Sequence, residues 1–220
     1  MLRRGRLPVL AEIAGPPEGE RAWSLRRSDF ASLEKALPRL EGQRVVLVSG
    51  EGEAASVAAI ALAAAASAGG RRTVLVECDL ARPRLAAQVG VAPAPGLHEY
   101  LRWEAEPADI LQPVAMAGSA ASAVADPLVC VCGGRPATKA ETLLGLQSFA
   151  HMVEKLRRAY ELVVLIGPPA VEEPASCQAA ARQADAAVVG LPATSTNGRA
   201  LRAAIKRLPV PALGAIAVGV

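Results

Sequence analysis

Aromatic residues are nearly missing from this chain, with two Trp, two Tyr and two Phe making up 3% of 220 residues. Nucleic-acid readers stack bases on rings set between cations; with so few rings and none interleaved with the basic residues, that class is excluded. Histidine is equally scarce, and the four cysteines, Cys78, Cys130, Cys132 and Cys177, have neither metal-ligand spacing nor histidines beside them. They read as buried free thiols in a reducing cytoplasm, Cys130 and Cys132 sharing one strand face. His98 reads as a surface residue, since no second ligand is in register with it. The apolar run 54–68 is mostly alanine and too short to span a membrane, and residues 7–10 are too brief for a secretory signal. Lysine is absent between Lys35 and Lys139, so the middle of the chain has only arginine to offer as a cation.

What is present is apolar. At 52% hydrophobic the chain can bury one sizeable core, and alternating strand and helix signals favour an α/β, three-layer, doubly wound, mostly parallel sheet. The expected organisation is a basic N-terminal arm, 1–22, and a single domain, 23–220. The net charge is only +3, but Arg3, Arg4, Arg6, Arg21, Arg26 and Arg27 crowd the start. Such a cluster is either a solvated end or an arm lying near an anionic membrane face.

The organising stretch is 44–79, RVVLVSGEGEAASVAAIALAAAASAGGRRTVLVECD. It reads as a buried strand, a glycine-containing turn, an alanine-rich helix of about four turns, a Gly-Gly stop and a second buried strand ending in acids. A turn between a strand and a helix N-terminus is where phosphates sit, because unpaired N–H groups and the helix dipole converge there. Before it, 7–13 is extended, and Ser28-Asp29 caps a helix running to about residue 37 with Phe30, Leu33 and Leu37 on one stripe. After it come short helices ending at Gly90 and near Trp103, with Trp103 packed nearby. A loop of small residues follows at 115–125, then a strand at 127–132. A long amphipathic helix at 138–158 starts on a capping box from Thr138 to Glu141 and buries Leu143, Leu146, Phe149, Met152, Val153 and Leu156. Strands at 160–166, 186–191 and 213–220 and helices at 177–184 and 197–208 complete the alternation.

A P-loop is G-x-x-x-x-G-K-[ST], with its lysine on the β/γ-phosphates and its hydroxyl on Mg²⁺. Aligned through the helix, Gly52-Glu53-Ala54-Ala55-Ser56 matches G-E-G-K-S and puts Ala55 at the lysine. Aligned through Gly50-Glu51-Gly52, the turn puts Glu53 there and Ala54 at the hydroxyl. The cation is lost in both registers. A carboxylate about 4 Å from a phosphate charge repels it by roughly 4 kcal/mol at an effective dielectric of about 20.

Several strings together resemble the cytoplasmic domain of bacterial tyrosine kinases that regulate capsular and exopolysaccharide assembly, within the deviant P-loop ATPases that include septum-site and partition (MinD/ParA-like) proteins. VLVECDLARPRL at 74–85 is similar to V-D-A-D-L-R-R-P-x-L, and GLHEYL at 96–101 to G-L-x-x-x-L. Residues 133–173 are similar to the stretch from A-G-x-x-P-P-N-P-x-E-L-L to Y-D-x-V-I-I-D-T-P-P-V, 184–196 to A-D-x-x-L-L-V-V with its threonine or serine after it, and LPVLAEI at 7–13 to the segment after the last membrane helix.

The resemblance implies a P-loop fold and a nucleotide site made of Gly50, Gly52, Glu53, Ala55, Ser56, Glu77, Asp79, Arg82 and Ile166. It also implies that the chemistry there is lost. The lysine falls on Ala55 or Glu53; the strand-end acids are Glu77 and Asp79; the next basic position is Ala81, followed by Arg82. The Walker B aspartate falls on Ile166 and its neighbouring threonine on Gly167. Ser56 and Asp79 are what remains for a metal. The tyrosine-rich tail that such kinases phosphorylate is not expected, since the sequence runs out on AIAVGV with only Tyr100 and Tyr160 in it. The ring-forming helix, aligned on Phe30, has Ser28 and Ala31 where the kinases carry a glutamate and an arginine.

Each relic also has a purely structural reading. Gly50 and Gly52 serve the turn, Pro168-Pro169 stiffens a strand exit, Glu77 and Asp79 pair with Arg82 or Arg84, and Glu53 folds into the cradle to accept its N–H groups. The leading expectation is a non-catalytic, pseudokinase-like module at the inner membrane face. It would have no catalytic residue and no cofactor, and would act on a membrane chain-length or export (Wzz-like) protein or beside an active kinase paralogue. The alternative is a working kinase or ATPase that binds ATP and Mg²⁺ with Arg82, Arg71 or Arg135 replacing the lysine. A third reading, a partition or septum-site relative, lacks a visible C-terminal amphipathic helix or basic stripe.

Overall fold

The computed structural model describes residues 7–14, 26–114, 128–195 and 198–219. The loop expected at 115–125 and the membrane contact expected of Arg3, Arg4, Arg6 and Arg21 lie outside these residues.

Short β-branched runs bounded by glycine, proline and acids become strands buried on both faces. Val45–Gly50 (β2), Thr73–Glu77 (β3) and Leu162–Ile166 (β6) are buried along their whole length. With Val9–Ile13 (β1), Gln112–Val114 (β4), Leu128–Val131 (β5), Ala186–Pro192 (β7) and Ala212–Val218 (β8) they form one sheet in the order β1-β8-β7-β2-β6-β3-β5-β4. All pairs are parallel except β4 with β5. Alternate residues feed two cores: Val46, Val48 and Leu75 face Ala54–Ala68 (α2), Arg27–Glu34 (α1) and Leu85–Val89 (α3). Val45, Leu47, Val74 and Val76 face the opposite layer, Leu97–Leu101 (α4), Pro107–Ile110 (α5), Ala140–Leu144 (α6), Gln147–Ala159 (α7), Pro174–Ala181 (α8) and Gly198–Ile205 (α9). This is the three-layer doubly wound architecture expected.

Two features of the topology matter for the site. β6 lies between β2 and β3, so the strand–helix–strand unit skips one place and the C-terminal ends of three adjacent strands meet at one point. And β1, within the stretch assigned to the basic arm, is an edge strand of the same sheet, parallel to β8.

Several local expectations are corrected. Asp29 sits in the first turn of α1, where its carboxylate accepts the N–H groups of Ala14 (3.0 Å) and Arg26 (3.4 Å), so it ties β1 to the helix start. α1 ends at Glu34, and Pro38 lies inside a following 3₁₀ turn, Leu37–Leu40. The long helix at 138–158 is two helices, α6 and α7, separated at Gly145 and Leu146; Leu146 is exposed, and the expected capping box gives way to Lys139 with no side-chain cap. Trp103 is 84% exposed at φ 63 rather than packed. His98 is largely buried, not a surface residue. β4 is missing from the sequence reading because three residues, one of them Pro113, leave no periodicity to detect.

Asp185 ties the sheet's entry edge together, its carboxylate accepting the N–H groups of Arg44 and Val45 at 2.8 Å each and a guanidinium N–H of Arg157 at 2.7 Å. Burial pushes its carboxyl up, but the Val45 N–H, the Arg157 guanidinium and the Arg44 N–H together hold it below the ordinary range. A depressed carboxyl stabilises the fold fully above its unfolded value of about 3.9 and less as pH falls through the folded value. Asp185→Asn is therefore expected to lower the unfolding free energy by about 1.5–3 kcal/mol at neutral pH. Urea titrations at neutral pH and near pH 3 should show the gap to the wild type closing in acid.

Candidate nucleotide site

β2 delivers Gly50 to a turn, Glu51 to Glu53, from which α2 starts at Ala54. The turn is tight because the Glu51 N–H is bonded to the Gly190 carbonyl of β7 at 3.1 Å and because Gly52 takes φ +56. α2 is buried on every side from Ala54 to Ala66, as a run of small side chains permits, so its N-terminus is pressed into the sheet. Gly52, Ala55, Ser56, Glu77, Asp79, Arg82 and Ile166 do come together there, joined by Arg84 and Pro169. Gly50 lies beneath the turn, and Glu53 stands at its lip.

The space these residues leave is about 60 Å³. Small-molecule sites run from about 300 Å³ upward, so the cleft as it stands is well below that size. Ala55 presents a methyl group to the cleft, and Ile166, 3% exposed, closes its wall with apolar carbon.

The polar groups are already engaged. The Ser56 hydroxyl donates to the Glu53 carbonyl at 2.9 Å and accepts from the Gln88 amide at 2.9 Å. Glu53 does not fold into the cradle: its carboxylate is exposed and pairs with Arg84 at 2.8 Å. Arg82 reaches Glu173 at 2.7 Å and sits 3.9 Å from Asp79. Among the described residues Glu77 has no ion-pair partner. It is 2% exposed, and one carboxylate oxygen accepts the N–H groups of Arg84 (2.5 Å) and Leu85 (2.9 Å) while the other accepts that of Gly133 (2.8 Å). Burial raises its pKa, and the three N–H groups oppose that without cancelling it. Burial also raises that of Asp79, against the pull of Arg82.

Among the other arginines proposed for the lysine's role, Arg71 follows the C-terminal end of α2, roughly 22 Å along the helix from the turn, and donates to the Glu161 carbonyl at 3.3 Å. Arg135 pairs with Glu99 at 2.8 Å and with Glu104. Sequence reasoning missed Gln88 and Glu173, and it gave Arg84 to Glu77 or Asp79 where the structure pairs it with Glu53. A carboxylate or amide that meets its partner only through the fold carries no local signal. No group of three or more His, Cys, Asp or Glu among the described residues is arranged to hold a metal. No helix among them is long and apolar enough to cross a membrane.

A cleft at the joint ends of β2, β6 and β3, opened by a strand–turn–helix unit, is the arrangement of a P-loop NTPase-like fold. The kinase domain of the Escherichia coli tyrosine kinase ETK superposes with a TM-score of 0.79 at 17% identity, covering 97% of this chain and 91% of that one. The BceF tyrosine kinase domain gives 0.77 at 21% identity, covering 97% and 93%. The cell-division ATPase MinD of Pyrococcus furiosus gives 0.58 at 17% identity, covering 78% and 70%. No family model matches the sequence, and no curated protein matches it.

Proposed function

We propose that this chain is a catalytically silent counterpart of the tyrosine kinases that regulate exopolysaccharide assembly, and that it works as a binding or regulatory module. Its expected partner is a membrane chain-length or export protein, or an active kinase paralogue, at the inner face of the membrane. The observation that carries this reading is the wall of the cleft: Ala55 and Ile166, which the resemblance aligns with the lysine (in one of two registers) and the Walker B aspartate, offer it only apolar carbon, and Arg82 and Arg84 are each already held by a carboxylate. Phosphoryl transfer depends almost wholly on positioned charge, so a site with neither group forgoes most of the rate.

Isothermal calorimetry with Mg-ATP is expected to give no heat of binding, and incubation with it no phosphotyrosine. The second reading is supported by the two arginines on the cleft wall. It expects micromolar ATP affinity that Arg82→Gln or Arg84→Gln abolishes, and that pair of results would replace the first reading.

A further inference from the structure

At the opposite end of the strands from the phosphate cradle, α9, β8 and the start of β1 enclose a cavity of about 370 Å³. Leu7, Ile205, Leu208, Val210 and Ala212 supply its apolar wall, and its only charged lining groups among the described residues are Arg202 and Lys206, one helical turn apart. Arg199 precedes Arg202 by three residues and so extends the same stripe, giving Arg199, Arg202 and Lys206 on one exposed ridge. None of the three has a carboxylate partner among the described residues, in contrast to the cleft arginines, which all do. No basic stripe is visible in the sequence because α9 is short and its cations are set between alanines.

We infer that this cation-rimmed apolar cavity is a docking site for the anionic phospholipid surface of a membrane. The three cations meet lipid phosphates and the cavity receives apolar carbon from the bilayer. The chemistry favours lipid over an acidic peptide. A peptide must satisfy its own backbone N–H and C=O groups when it leaves water. Among the described residues this wall offers aliphatic carbon and two cations and no side-chain acceptor, which suits a phosphate ester with a hydrocarbon tail. Leu7, one of the lining residues, follows Arg3, Arg4 and Arg6 in the sequence. A single apolar contact or a single basic cluster binds bilayers weakly, and the two together bind usefully. The cavity shares no residue with the nucleotide cleft, so ATP binding and membrane binding fail or succeed separately.

The test is co-sedimentation of the full chain with vesicles of phosphatidylcholine alone and of phosphatidylcholine mixed with phosphatidylglycerol. The chain should pellet with the mixed vesicles only, and less as salt is raised. Removing both cations in Arg202→Gln/Lys206→Gln should lower partitioning roughly thirtyfold, at about fivefold per charge. Val210→Asn should lower it several-fold while circular dichroism and melting stay as in the wild type. Arg158→Gln, on the exposed face of α7, should change it less than about twofold. Equal pelleting with both vesicle types, no pelleting at all, or an equal loss in Arg158→Gln would each overturn the assignment.

Discussion

Glu77→Ala is expected to lower the unfolding free energy by about 3–5 kcal/mol. The side chain ties the end of β3 to two other segments: the turn leading into α3 through Arg84 and Leu85, and the loop after β5 through Gly133, fifty-six positions away in sequence. Truncating it leaves those N–H groups inside the protein without an acceptor, and each such orphan costs about 1–3 kcal/mol. Glu77→Gln separates charge from connectivity, since an amide offers one acceptor oxygen and turns its NH₂ against a donor; about half the loss is expected. The two variants also differ in pH response. Because burial raises the folded pKa of Glu77, its stabilising contribution is complete below the unfolded value and declines as pH rises through the folded one, the reverse of Asp185. Stability of the wild type relative to Glu77→Gln should therefore increase on acidification through the carboxylate range. Should Glu77→Ala melt with the wild type, the carboxylate would be free for a ligand and the structural account of it would fail.

This tie shows where the sequence stops being readable. Two β-branched runs, an alanine helix and a Gly-Gly stop announce a strand–helix–strand unit, because each depends on local period and composition, and the structure has β2, α2 and β3 within a residue or so of the expected places. The acids at the end of β3 are equally visible, but their partners are not. Arginine side chains nearby in sequence suggest ion pairs for Glu77, whereas the fold supplies backbone N–H groups, one of them from across the sheet. Glu53 fails as a phosphate mimic for a related reason: as the residue before the first turn of α2 its side chain points outward, where Arg84 waits. Trp103, expected to pack, stands in solvent because the chain turns at a left-handed φ there, which nothing in its neighbours announces. The division of 138–158 at Gly145 comes from a glycine and an exposed Leu146 that period alone could not weigh. Backbone preference and apolar patterning were legible; contacts between residues distant in sequence were not.

The glycines of the turn allow the strongest separation of a folding role from a phosphate-binding one. At Gly50 an added Cβ would lie 1.8 Å from the Gly190 carbonyl oxygen and within 3 Å of that residue's C and N. The obstacle is backbone in β7, which is paired on one side with β2 and on the other with β8 and has nowhere to retreat. Overpacking against movable side chains costs about 1–3 kcal/mol, so Gly50→Ala should cost more than about 3 kcal/mol and leave little folded protein at physiological temperature. Gly52 differs in kind. Its φ of +56 is awkward for an L side chain, but nothing lies within 4 Å of the added carbon, so Gly52→Ala should cost only about 1 kcal/mol. In a working phosphate loop both glycines let the chain approach the ligand, and substitution at Gly52, the position facing the cleft, would register first in nucleotide affinity. In a cradle that holds no phosphate, the ranking is set by sterics alone and appears in urea unfolding without any nucleotide present. A Gly50→Ala protein as stable as the wild type, or a Gly52→Ala variant that is the more damaged of the two, would mean that the turn is kept for a ligand and not for the close seating of α2 on the sheet.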